Sequence, residues 1–151
     1  MVGRVLLTFV GLLLSFLPLL GQTTESSLKR LYPRERKNTF IVRPGIRMKA
    51  IYGSRRKVCV LTISGPILEP DLMRVFETAV PKKSRGLYLQ RLSECMGLCI
   101  QVFKFEKVEL TLGVIGNSQK SEPSAVVIFR RPECEAAAKE VKKISFYFQT
   151  D

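Results

Sequence analysis

The residue types that could do chemistry are few, and one is missing altogether. The 151-residue chain contains no histidine. That removes Ser-His-Asp and Cys-His nucleophiles, histidine-ligated zinc and imidazole general-base catalysis. Paired carboxylates remain, and two of them flanking a glycosidic bond can act as acid and base or nucleophile. The pairs close in sequence are Glu69 with Asp71, Glu106 with Glu109, and Glu133 with Glu135. Each is better explained as a helix N-terminus or a solvated turn, so no catalytic residue is assigned. Calcium needs clustered oxygen ligands, and Asp71 and Asp151 are the only aspartates. The glycines Gly113 and Gly116 lack the Lys-Ser/Thr sequel of a phosphate loop. No cofactor or metal site is expected.

Four cysteines offer a different chemistry: Cys59, Cys95, Cys99 and Cys134. An even number in an exported chain points to disulfides, with three connectivities open. The expected pairs are Cys59 with Cys134, at long range, and Cys95 with Cys99, locally if their segment is a turn. A helix would separate Cys95 and Cys99 awkwardly for disulfide geometry. A four-thiolate zinc site normally shows two close pairs, whereas this chain has one close pair and two distant singles. Cys95-Met-Gly-Leu-Cys99 is one residue too long for a C-x-x-C redox motif.

Binding chemistry rests with arginine and tyrosine. Tyr52-Gly53-Ser54-Arg55-Arg56 falls where a hairpin tip is expected. A tip presents side chains on a rigid scaffold, and paired guanidinium groups grip carboxylate or phosphate in bidentate fashion. Tyr52, Arg55 and Arg56 are therefore the candidate binding residues. A plain solvated turn is the competing explanation. Tyr52, Tyr88 and Tyr147 also fit ordinary core or rim packing.

The compartment follows from the first residues. Arg4 precedes an apolar run from Val5 to Leu20, then Gly21 and polar residues. This is the layout of a secretory signal peptide, with cleavage expected between Gly21 and Gln22. The run is short for a membrane span and carries Pro18 near its end. The mature chain keeps 24 of 25 basic and all 13 acidic residues, a formal charge of +11. Such a charge suits an anionic envelope polymer, a membrane surface or an acidic protein. Nucleic acid is disfavoured by export and by the lack of any helix-turn-helix, finger or aromatic-platform signature.

These residues need a scaffold. Residues 22–38 are polar and basic and read as a flexible N-terminal segment, leaving 39–151 as one domain. Ile46–Tyr52 alternates apolar and basic residues, and Lys57–Ser64 is rich in β-branched ones. With a glycine-containing loop between them they form a β-hairpin. Glu69-Pro70-Asp71 starts a helix that Pro81 ends. Leu87–Met96, with Leu89, Leu92 and Met96 spaced along one side, reads as a second short helix or irregular turn. Cys99–Phe105, Val108–Ile115 and Ser124–Arg130 read as strands. Pro132–Lys143 reads as a helix and Ile144–Phe148 as a last strand. The sum is an α+β domain: a mainly antiparallel sheet of five or six strands with two or three short helices.

The stretch from Val42-Arg43-Pro44-Gly45-Ile46 through Tyr52-Gly53-Ser54 to Val58-Cys59 resembles a group of small exported bacterial proteins without assigned activity. Val80-Pro81-Lys82-Lys83-Ser84-Arg85-Gly86 and Met96-Gly97 extend the resemblance over most of the mature chain. It implies export and a shared fold and supplies no chemistry. The leading expectation is a non-enzymatic exported binding or interaction domain, secreted or periplasmic, with an anionic surface or protein partner. A His-free hydrolase using carboxylates and a structural envelope component are the alternatives.

Mass spectrometry of the exported protein, intact and then reduced, checks this reading. The expected mass begins at Gln22 and rises on reduction by two hydrogens for each bridge. Recovery of Met1-containing protein with free thiols is the contrary result.

Overall fold

A computed structural model describes residues 22–96, 98–115 and 122–147. The expected signal, residues 1–21, lies outside the described residues. Four helices and eight strands are present among those described. In chain order they are α1 (Glu25–Leu31), β1 (Arg34–Arg36), β2 (Thr39–Arg43), β3 (Ile46–Tyr52) and β4 (Val58–Ser64). Then come α2 (Glu69–Ala79), α3 (Lys82–Arg85), β5 (Tyr88–Met96), β6 (Leu98–Phe105), β7 (Val108–Ile115), β8 (Glu122–Phe129) and α4 (Glu135–Tyr147).

All eight strands join one antiparallel sheet in the order β1-β2-β3-β4-β8-β7-β6-β5. It is two four-stranded meanders sewn together where β4 pairs with β8. The crossover from β4 carries α2 and α3 to the far edge, and the second meander returns to the centre.

Period-two alternation explains the packing. Two cross-strand rows line one face: Phe40, Met48, Ile63, Ala125 and Leu112, then Ala50, Leu61, Val127, Leu110 and Phe103. Helix α2 lies over this face with Leu72, Phe76 and Ala79 buried. Its Phe76 ring meets Phe105 at 5.5 Å. Pro70 and two acids occupy the first turn of α2, where a missing N–H and negative charge both suit the helix end. The opposite face buries Val60, Val126 and Ile128, the alternate residues of the central strands. Helix α4 packs there through Ala137, Ala138 and Val141.

The Cys59–Cys134 disulfide ties the start of β4 to the turn that leads into α4, with Cα atoms 5.0 Å apart. Gly53 is required beside it, since a Cβ there would lie 2.8 Å from Cys59 Sγ. Cys95 and Cys99 face each other across the β5–β6 hairpin in backbone register. Their side chains lie outside what is described.

Several expectations need correcting. The sheet has eight strands and the described chain four helices, more than five or six and two or three. Leu87–Met96 is strand β5, not a helix: the leucine spacing fits both periods, and pairing with β6 decides. Ile144–Tyr147 continues α4 rather than forming a strand, because no Gly or Pro interrupts the chain after Glu135. Phe148 lies outside the described residues. Residues 22–38 hold α1 and β1, with Leu28 fully buried, in place of a loose segment.

Replacing both Cys59 and Cys134 with Ala reopens a loop of 75 residues in sequence separation. Unfolding in denaturant should show a loss of about 2–4 kcal/mol. An unchanged midpoint would mean the bridge carries no stability.

Candidate functional site

The basic hairpin tip is built from the N-terminal segment upward. Thr24 Oγ1 accepts from Ser27 N at 3.2 Å, and Ser27 Oγ accepts from Thr24 N at 2.9 Å. This reciprocal capping starts α1 within a polar run. Thr23 fastens the segment: its carbonyl accepts from Val58 N at 3.1 Å and its hydroxyl donates to Ala79 O at 3.3 Å. Helix α1 thereby comes to lie against the β3–β4 tip, with Glu25 in its first turn.

Glu25 is the hub of the site. Its carboxylate lies 2.9 Å from Lys29 Nζ, 3.2 Å from Arg56 Nε and 3.9 Å from Arg34 NH1. The hydrogen bond from Lys29 holds its pKa below the usual carboxylate value, helped by the Arg56, Lys29 and Arg34 charges and opposed by burial. Arg56 also stands 5.8 Å over the Tyr52 ring. Burial and the nearby Glu25 charge push the Tyr52 phenol up to about 12, against Arg34 and Arg56. The buried Tyr52 hydroxyl has no hydrogen-bond partner among the described residues.

The structure thus divides the three candidate residues. Tyr52 is partly buried, and Arg56, although exposed, ties α1 to the hairpin through its ion pair with Glu25. Arg55 is exposed and has no ion pair among the described residues. Arg55 and Arg56 both adopt left-handed backbone, at φ 52° and 54°. That conformation costs a non-glycine residue on the order of 1–2 kcal/mol.

Sequence reasoning missed the neighbours of this tip. Asn38 O accepts from Ala50 N at 2.8 Å, so the β1–β2 turn lies alongside the end of β3. That turn carries Arg36 and Lys37, and α1 carries Arg30 in its last turn. All three are exposed and lack ion pairs among the described residues. Glu35, the other acid in this region, is engaged by Arg47 at 2.9 Å. The result is a basic end at which the local carboxylates are already committed. The one signal available in advance was charge density: Lys29-Arg30, Arg34, Arg36-Lys37 and Arg55-Arg56 all precede or border the tip.

The other candidates are spoken for. Glu69 accepts from Gln101 at 3.3 Å, and Asp71 pairs with Arg43 at 3.0 Å and Arg74 at 3.7 Å. Glu106 accepts from the Leu87 amide at 2.9 Å. Glu109 pairs with Arg130 at 3.0 Å, Glu133 with Lys57 at 3.9 Å and Glu135 with Lys139 at 2.7 Å. A groove of about 370 Å³ beside α4 is lined in part by Arg131, which stacks 4.9 Å over Phe129. Its Glu109, Arg130 and Glu135 are paired, whereas the buried Arg131 Nη1 has no hydrogen-bond partner among the described residues. Tyr88 is exposed at 55% and meets Phe105 edge-on at 5.7 Å. Tyr147 ends α4, and its side chain lies outside what is described. No group of three or more potential metal ligands occurs among the described residues.

No known family model matches the chain, and neither a curated protein nor a solved structure is similar to it.

Glu25 gives a pH dependence with a definite sign. Its pKa is lowered on folding, so its contribution is present above the unfolded carboxylate value. It is lost as pH falls through the folded value. Thermal melts of the wild type and Glu25→Gln should differ at neutral pH, with the variant melting lower, and converge in acid. Equal melts at neutral pH would show that the cation cluster does not hold α1.

Proposed function

We propose that this chain is an exported, non-enzymatic binding domain whose basic end docks onto an anionic polymer or surface of the cell envelope. The observation that carries the reading is the state of the charges around Glu25. One buried carboxylate, Glu25, pairs with Lys29, Arg34 and Arg56, while Arg30, Arg36, Lys37 and Arg55 are exposed without carboxylate partners among the described residues. Such cations concentrate positive potential where two turns and a helix end meet. Their presentation on strand ends and a capped helix keeps them apart and outward, as an extended polyanion requires.

Export belongs to the same proposal. It rests on the signal-like first 21 residues and the Cys59–Cys134 bridge. An oxidising space is where such a bridge persists. Among the described residues, no helix is long and apolar enough to cross a membrane.

Binding of a carboxylated or sulfated polysaccharide and of phosphatidylglycerol vesicles tests the reading. Affinity should fall with salt, since the exposed cations act through a screened field. Arg55→Ser and the pair Arg36→Ser with Lys37→Ser should each weaken binding, by about fivefold per charge. Arg56→Ser should lower the melting temperature more than it lowers affinity per charge. Binding unaffected by Arg55→Ser and by the Arg36/Lys37 pair refutes the assignment of this end.

A further inference from the structure

The two edges of the sheet are built differently. At one edge, β1 is three residues long, and all three are charged: Arg34, Glu35 and Arg36. Pro33 precedes it, its pairing with β2 is bulged, and Arg34 Nε donates to the Arg36 carbonyl at 3.1 Å. Short length, charge, proline and a bulge are the devices that stop strand addition. At the other edge, β5 runs nine residues, Tyr88–Met96, with Arg91 and Glu94 charged and a bulge between Tyr88 and Gln90, after which its ladder is regular. Its outer side is the end of the sheet among the described residues. The backbone donors and acceptors that alternate to that side have no ladder partner among the described residues.

Exposed apolar surface concentrates at this open edge. Among the described residues six large hydrophobics are exposed, and four are Leu87, Tyr88, Leu89 and Leu92. Leu87 stands at 58%, Leu89 at 56% and Leu92 at 42%. An unpaired edge that carries exposed apolar side chains marks a pairing surface.

We propose that β5 pairs antiparallel with β5 of a second copy, extending two eight-stranded sheets into one across a twofold axis at Leu92. This goes beyond the polyanion reading and uses the opposite edge of the sheet. A twofold axis normal to the sheet keeps each face on its own side, so residues of matching parity stand opposite one another. With the axis at Leu92, that leucine faces itself, Arg91 faces Ser93 and Gln90 faces Glu94. An axis at Arg91 would set arginine against arginine, and one at Ser93 would set Leu92 against Glu94. Of the axes from Arg91 to Glu94, in the stretch that follows the bulge between Tyr88 and Gln90, the one at Leu92 joins apolar to apolar and places no like charges opposite. The blocked β1 edge leaves each copy one pairing edge, so association closes at two and forms no fibre. Each copy carries +11, so repulsion opposes pairing at low salt and screening relieves it.

Sedimentation of the purified exported protein over a concentration series tests the proposal. The expected species is a dimer whose Kd falls as salt rises. Gln90→Lys sets a lysine opposite Glu94 twice and should tighten the dimer about fivefold; Gln90→Glu sets two acids opposite and should loosen it by a similar factor. Leu92→Lys, with lysine facing lysine at the axis, should give a monomer with an unchanged circular dichroism spectrum. If that variant misfolds, the two Gln90 variants decide, being exposed and polar at the start. A monomer at every concentration, growth beyond two, or Gln90→Lys and Gln90→Glu shifting Kd in the same direction would each overturn it.

Discussion

The pairing of β4 with β8 is the constraint on which the rest of this structure depends. Every other strand neighbour is joined by a short connection, whereas β4 and β8 are separated by the whole second meander. The register Leu61 with Val127 and Ile63 with Ala125 carries both apolar rows across the seam, and all four residues are fully buried. Each meander alone would leave one face of its sheet and a long inner edge in water. Joined, they offer a face broad enough for α2 and a reverse face for α4. Closing a loop of this length costs entropy before any contact repays it. The Cys59–Cys134 bridge sits beside that seam and removes part of the same entropy from the unfolded chain, which places covalent reinforcement where closure is hardest.

What could be read from the residues followed the range of the interactions involved. The β3–β4 hairpin was legible because alternation and a glycine turn are local, and Ile46, Met48 and Ala50 are buried while Arg47 and Lys49 are not. Helix α2 was legible through Glu69-Pro70-Asp71 and the closing Pro81. Strand β5 was not, because an edge strand feels burial on few sides and its Leu89, Leu92 and Met96 satisfy a helical spacing as well. Helix α1 was hidden because its start signal is a serine three residues after a threonine, inside a run that reads as polar linker. The long-range cysteine pair stood among three connectivities, and only the fold brings Cys59 to Cys134. At the tip, Arg55 and Arg56 were equivalent as sequence. Their separation into a guanidinium with an ion pair and one without depends on Glu25, some thirty positions earlier.

The charges are partitioned by location. Acidic side chains are spent at joints between elements: Glu25 between α1 and the hairpin, Asp71 between α2 and β2, Glu77 between α2 and α3, Glu109 between β7 and the end of β8. Surface pairs of this kind contribute roughly 0–1 kcal/mol each. Their larger effect is on where the surplus lies. With the described acids engaged mostly at joints, the net charge of +12 is left to lysines and arginines, many of them on turns and helix ends. The double left-handed backbone at Arg55 and Arg56 is the sharpest instance, since strain of that order persists only where surrounding contacts impose it. Glu25 and the Tyr52 ring supply those contacts.

The two ends of the sheet are therefore opposed in physics as well as in position. The α1–hairpin end is polar, strained and electropositive; the β5 edge is long, has two charged residues and exposes leucines. Polyanion docking at the first would reduce the net charge that disfavours pairing at the second. Linkage makes the relation reciprocal: whatever factor an anion adds to self-association, self-association adds to anion affinity. Two copies joined through β5 would also hold two basic ends rigidly apart, so a polymer long enough to reach both gains the effective concentration of a tethered second site. A short anion would gain only the first of these effects. Neutralisation and avidity thus separate by ligand length, and both trace back to a sheet that is closed by charge on one edge and left open on the other.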